Sequence, residues 1–182
     1  MNNDKLSKMK TTTNLLICIL LIGFMACTST NDPVDASKKS AGTMTVSTTT
    51  STYSGNYAPR HVMAVWVENN SGTFVKTLKV NGSQYRRYLS NWYSSTSSGN
   101  VTDATTGATL TNHGVVSCTW NGTDVSGNVV NNGTYKVCVE FTESDGTGKF
   151  SSFSFAKDTV TNTQSPSAQS NFSNTSIKWT PK

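Results

Sequence analysis

The chain is short of charge. Asp, Glu, Lys and Arg make up 14% of its 182 residues, and the formal net charge is +5. Lys5, Lys8 and Lys10, with Asp4, belong to an N-terminal leader, and their removal lowers the charge to +3. So mild a balance excludes a charge-driven nucleic-acid binder. Histidine occurs twice, at His61 and His113. His61 follows Arg60 at a strand start, where a surface position is expected. No Gly-x-Ser-x-Gly elbow, His-Glu-x-x-His run, phosphate-binding loop or dinucleotide fingerprint is present. The acids outside the leader form no recognisable glycosidase pair. No catalytic residue and no metal ligand is assigned, and the reading leans away from an enzyme. No apolar run reaches the roughly 20 residues of a membrane-spanning helix. An internal repeat and a long amphipathic helix are missing too.

Cysteine is scarce, with four in all, and position divides them. Lys5, Lys8 and Lys10 form a basic segment, residues 15–25 an apolar one, and Ala26-Cys27 follows at once. That order predicts a lipoprotein signal peptide over residues 1–26, with Cys27 as the lipidated N-terminus. Phe24 stands where Leu is usual. Cys18 leaves with the leader. Cys118 and Cys138 remain, in an oxidising compartment, on strands expected to flank one hairpin. A bridge between them and two small buried thiols are both compatible with that placement. Metal binding by the pair is not expected, because no ligand-rich spacing surrounds them.

What the chain has in quantity is Thr, Ser, Asn and Gly. Residues 27–42 read as a flexible tether and residues 43–182 as the domain. Alternating apolar and β-branched positions predict strands over 43–53, 61–68, 73–80, 114–120, 134–142, 149–156 and 176–180. Residues 61–68 are apolar on both faces and so predict a central strand. In 134–142, Tyr135, Val137, Val139 and Phe141 point inward, with Lys136, Cys138 and Glu140 opposite. Lys76 and Lys79 are expected to reach water. In residues 83–93, Tyr85, Tyr88, Leu89 and Trp92 recur at helical spacing. A short helix or helical turn is expected there, capped by Ser83 and packed across one end of the sheets. Arg86 and Arg87 between these aromatics read as a solvated face. Residues 94–112 read as a long loop, of the kind that carries function. About seven strands between turn signals make an all-β fold, an Ig-like β-sandwich.

Three segments carry a family resemblance: His61–Leu78 (HVMAVWVENNSGTFVKTL), Val101–Thr109 (VTDATTGAT) and Trp120–Phe141 (WNGTDVSGNVVNNGTYKVCVEF). Together they resemble the predicted periplasmic proteins called domain of unknown function 2271, over about residues 43–180. The resemblance implies a periplasmic compartment and names no activity. The third segment is also similar to an Ig-like module of flagellar hook-capping proteins. Its skeleton is Trp120, Gly122, Asp124, Gly127, Val130, Gly133 and Tyr135, a structural set of core aromatics and turn formers.

Asp103-Ala104-Thr105-Thr106-Gly107-Ala108-Thr109 fits Asp-x-x-Ser/Thr-Gly-Ala-Thr. It resembles the acceptor at which a periplasmic flavin transferase attaches FMN, through a phosphoester, to the last Thr. Thr109 supplies the hydroxyl, and Gly107 and Ala108 leave room for the transferase. Asp103 would orient the loop or help position the metal that serves the transfer. The alternative is a tight Thr-Gly loop without a cofactor, because the flanking sequence gives no pocket for the flavin ring. Asp158-Thr159-Val160 is similar to a three-residue O-glycosylation acceptor of some Bacteroidetes.

The leading reading is a lipid-anchored envelope module, on the periplasmic or outer-membrane face, that binds or scaffolds without catalysis. The second is an electron-transfer protein with FMN on Thr109, served by a flavin transferase and a membrane redox partner. The third is a glycan-binding module using exposed Trp and Tyr.

Overall fold

A computed structural model describes residues 34–97 and 99–182. The expected signal peptide and Cys27 lie outside the described residues, as does the first part of the tether. Two sheets stack face to face. One has the order β5-β1-β9-β8, built from β1 (Gly42–Thr50), β5 (Val115–Trp120), β8 (Asn162–Gln164) and β9 (Phe172–Pro181). The other has the order β4-β3-β2-β6-β7, built from β2 (Val62–Asn69), β3 (Phe74–Asn81), β4 (Thr105–Gly107), β6 (Gly133–Thr142) and β7 (Lys149–Lys157). All pairings are antiparallel except β3 with β4. The expected β-sandwich is the observed fold. The seven expected strands form, and the two added ones are three-residue edge strands.

Side-chain alternation puts one face of each sheet into the shared core. Met44, Val46, Trp120, Ile177 and Trp179 meet Met63, Val65, Val67, Val137, Val139, Phe141 and Phe153 there, all buried. Burial of each such side chain contributes about 1.5–3 kcal/mol. Tyr135 belongs to this core as expected.

The outer face of the five-stranded sheet explains why β2 is apolar on both sides. Val62, Ala64 and Trp66 point away from the main core, with Val80 and Cys138, and are covered by Leu89 and Trp92. Those two come from the expected helical segment, a 3-10 stretch Ser83–Tyr88 followed by α1 (Ser90–Ser95). The segment lies over the sheet face, not across its end, and Gly82 rather than Ser83 caps it. Glu140, fully buried, accepts from the backbone N–H groups of Asn91 (3.2 Å) and Trp92 (2.8 Å). A strand carboxylate thus satisfies the free donors at the start of α1.

Lys76 does not reach water. It is buried, and its Nζ donates to Asp103 Oδ2 (3.1 Å), Thr123 Oγ1 (3.4 Å) and the Asp124 carbonyl (3.4 Å). The end of the expected tether is docked on the domain. Asn132 N donates to the Lys38 carbonyl (2.7 Å), and Ser40 N donates to Asn132 Oδ1 (3.0 Å).

The Trp120–Tyr135 skeleton behaves as structure. The rings lie 5.3 Å apart, Trp120 Nε1 donates to the Thr123 carbonyl and the Tyr135 hydroxyl to the Asn131 carbonyl, both at 2.7 Å. Asp124 Oδ1 accepts from Ser126 N and Asn128 N, both at 2.9 Å, which closes the loop.

Candidate functional site

The expected long loop is not structureless. Thr105–Gly107 pairs in parallel with Lys79–Asn81 as the edge strand β4. Gly82 N donates to the Gly107 carbonyl (2.9 Å), and Asn81 Nδ2 to the Ala108 carbonyl (3.0 Å). A Cβ on Gly107 would lie 2.5 Å from Asn81 Nδ2, so the site tolerates only glycine without a shift. Beyond Thr109, Leu110 exchanges two backbone hydrogen bonds with His61, at 2.9 and 3.0 Å. Thr109 is therefore held between two fixed backbone anchors. It is half-buried, and its hydroxyl makes no hydrogen bond among the described residues. Asp103 is elsewhere engaged: its carboxylate pairs with Lys76, and its φ of 57° turns the chain.

Thr109 lines a cavity of about 500 Å³. The loop between β1 and β2 contributes Tyr57, Arg60 and His61, and the 3-10 stretch contributes Tyr85 and Tyr88. In a 3-10 helix residues i and i+3 eclipse, which sets Tyr85 and Tyr88 on one side. Asp145, from the β6–β7 turn, accepts from the Tyr57 hydroxyl at 2.6 Å, and that bond pushes the phenol's pKa up. Tyr57 and Tyr85 are 53% and 45% exposed, so each offers an aromatic face to the opening.

Beneath lies a group that sequence reading missed. His61 is buried, contrary to the expected surface position, and stacks on His113 with centroids 4.0 Å apart. His113 Nε2 lies 2.6 Å from Glu143 Oε1. Glu143 Oε2 accepts from Thr52 Oγ1, Tyr53 N and Gly55 N at 3.0–3.1 Å. Burial raises the Glu143 carboxyl's pKa, but these bonds outweigh it and hold it below the ordinary range. His61 is pushed down, chiefly by burial. Its Nδ1 lies 3.1 Å from the Pro59 carbonyl, which makes Nδ1 the protonated nitrogen.

Thr50 Oγ1 lies 3.1 Å from His113 Nδ1, so the parts of a hydroxyl–imidazole–carboxylate triad are adjacent. The Thr50 hydroxyl is buried and within 3.3 Å of the Gly114 carbonyl, and Thr50 does not line the cavity. A nucleophile must meet its substrate, and this one is closed off.

The structure does not bring Cys118 and Cys138 together. Both are free. Cys118 is on β5 of one sheet and packs on the inter-sheet core, while Cys138 on β6 packs on the outer face of the other. The expectation that their strands flank one hairpin fails because β5 and β6 belong to different sheets. Burial raises the Cys118 thiol to about 11 and pushes Cys138 higher still. All four tryptophans are buried, which removes exposed Trp from the glycan-binding reading. Among the described residues no group of three or more His, Cys, Asp or Glu side chains gathers as a metal site, and no helix is long and apolar enough to cross a membrane.

No curated protein and no solved structure matches the chain, so the likeness to the hook-capping module gains no support. The model of one family, described as predicted periplasmic protein (DUF2271), matches residues 41–173. That match takes in every strand except most of β9, together with the Thr109 segment and the stacked histidines, and by it the chain belongs to this family of predicted periplasmic proteins.

Proposed function

We propose that the protein is an extracytoplasmic electron carrier, anchored through a lipid on Cys27, whose FMN is esterified to Thr109. The observation that carries this reading is the setting of Thr109: a half-buried threonine whose hydroxyl makes no hydrogen bond among the described residues, flanked on both sides by residues held through their backbone, at a cavity lined by three tyrosines and an arginine. A plain scaffolding module needs no such opening.

The residues fit the group. The cavity volume falls within the range of about 300–1,000 Å³ usual for small-ligand sites. Tyrosine faces suit a planar ring, and the Arg60 guanidinium suits the anionic phosphodiester. Gly107 and Ala108 are exposed, which leaves the transferase room to approach. In attachment, Thr109 Oγ displaces AMP from a flavin adenine dinucleotide held by the transferase. One P–O bond forms to Thr109, the pyrophosphate P–O bond breaks with its electrons leaving on AMP, and the hydroxyl proton passes to a base of the transferase. Asp103, bonded to Lys76, sets the turn into β4. Once bound, flavin supplies one- and two-electron transfer, exchanged with a membrane redox partner on the periplasmic or outer-membrane face.

The test is intact mass. Expressed with a flavin transferase, the wild type is expected to be yellow and to gain one FMN-phosphoryl mass, and Thr109→Val to gain none. Colourless protein of unshifted mass would remove the reading. Cys27→Ser is expected to abolish fatty-acid labelling in the same preparation.

A further inference from the structure

We propose that the cavity beside Thr109 is a berth for the flavin ring itself, able to bind it without the covalent link. This rests on the reading of Thr109 above but makes a separate claim. An esterified flavin can trail in solvent from its threonine, or it can dock on the protein that carries it.

Three observations favour docking. The first is exposed aromatic area. Tyr57 and Tyr85 leave about half of their surface in water, at one opening, while Trp66, Trp92, Trp120 and Trp179 are all buried. A planar apolar ligand would cover those faces in offset or edge-on ring contacts.

The second is rigidity. The Tyr57 ring is held at its far end by the 2.6 Å bond to Asp145, and its backbone N–H donates to the Glu143 carbonyl at 2.9 Å. Gly55 N donates to the buried Glu143 carboxylate two residues earlier, at 3.1 Å. The wall is thus set before a ligand arrives, which lowers the ordering cost of binding.

The third is polarity at the rim. An isoalloxazine has one apolar edge and one pyrimidine edge that carries an N–H donor and two carbonyl acceptors. Arg60, Asn56 and Ser144 line the same opening as the tyrosines and offer donors and acceptors of the matching kind. Apolar walls with a few polar groups are the usual make-up of a cofactor pocket.

The experiment titrates riboflavin, which carries the ring and no phosphate, against the full chain bearing Thr109→Val, followed by quenching of riboflavin fluorescence. Saturable binding is expected. It should weaken by about tenfold in Tyr57→Ala and in Tyr85→Ala, the loss of one ring contact. Tyr57→Phe, which keeps the ring, should bind more tightly than Tyr57→Ala. Urea midpoints of the variants, expected to match the parent, separate lost binding from lost folding. No saturable quenching, or equal loss in Tyr57→Phe and Tyr57→Ala, overturns the berth. The covalent reading is judged apart, by the mass of the wild type. A flavinylated wild type whose Thr109→Val variant ignores riboflavin means a trailing ring. Riboflavin binding without flavinylation keeps the berth and removes the ester.

Discussion

The imidazoles of His61 and His113 lie 7° from parallel, their centroids 4.0 Å apart. Two such rings cannot both carry charge at that distance without strong repulsion. Glu143 beneath them is an anion held by four donors. The stability of the domain therefore depends on acid in two stages. His61 has a depressed pKa in the fold, so on acidification the unfolded chain takes up its proton first. Stability is full above the ordinary histidine value of 6.5 and falls below it until the folded pKa is passed. Glu143 is also depressed, and its contribution is lost as pH drops below 4.5. Below pH 7 the urea midpoint is expected to decline in two limbs. His61→Phe should remove the upper limb and leave the lower one. A level midpoint in the wild type down to pH 5 would show that His61 is not held neutral.

Gly107→Ala tests the backbone that presents Thr109. Its Cβ would sit 2.5 Å from Asn81 Nδ2, so either β4 or Asn81 must move. Asn81 is buried and bonded to the Ala108 carbonyl, which limits its freedom. A cost of about 1–3 kcal/mol is expected, as for overpacking elsewhere, and the yield of flavinylated Thr109 should fall. Unchanged denaturation and unchanged labelling would mean that Asn81 yields freely.

Tyr135→Ala tests the core. The ring packs 5.3 Å from Trp120 and 6.1 Å from Phe155, and its hydroxyl donates to Asn131. Its removal should cost about 3–5 kcal/mol by equilibrium unfolding. A loss below about 1 kcal/mol would place that face of β6 outside the core.

The two domain cysteines should remain thiols even after export. In native protein both should resist alkylation, because burial raises both thiols well above neutral pH. In denaturant both should react without reductant. A mass two hydrogens short before reduction would mean the sheets can move enough to join them.

The strands were legible wherever burial alternates along them. β6 shows this best, with Tyr135, Val137, Val139 and Phe141 inside. β4 was illegible because all three of its residues are exposed, so no period marks it. Tyr85 and Tyr88 share the spacing of Leu89 and Trp92, and spacing alone could not show that the first pair faces a cavity and the second a sheet. The Asp103–Thr109 motif was visible as a string, but the cavity beside Thr109 was not. The walls come from residues 56–62, 85–88 and 142–145, which only the sheet order brings together. The burial of His61 has the same cause, since its partner is His113, far along the chain.

Residues 40 and 132, bonded to each other, mark where the chain joins β1, and Thr50, touching His113, marks where it leaves. Along nine residues of strand these points are about 27 Å apart. The entry of the chain into β1 and the opening beside Thr109 thus lie toward opposite ends of that strand. On the proposed reading, a redox partner would reach a flavin on Thr109 from the end of β1 remote from the chain's entry, so the described segment before β1 would not obstruct it.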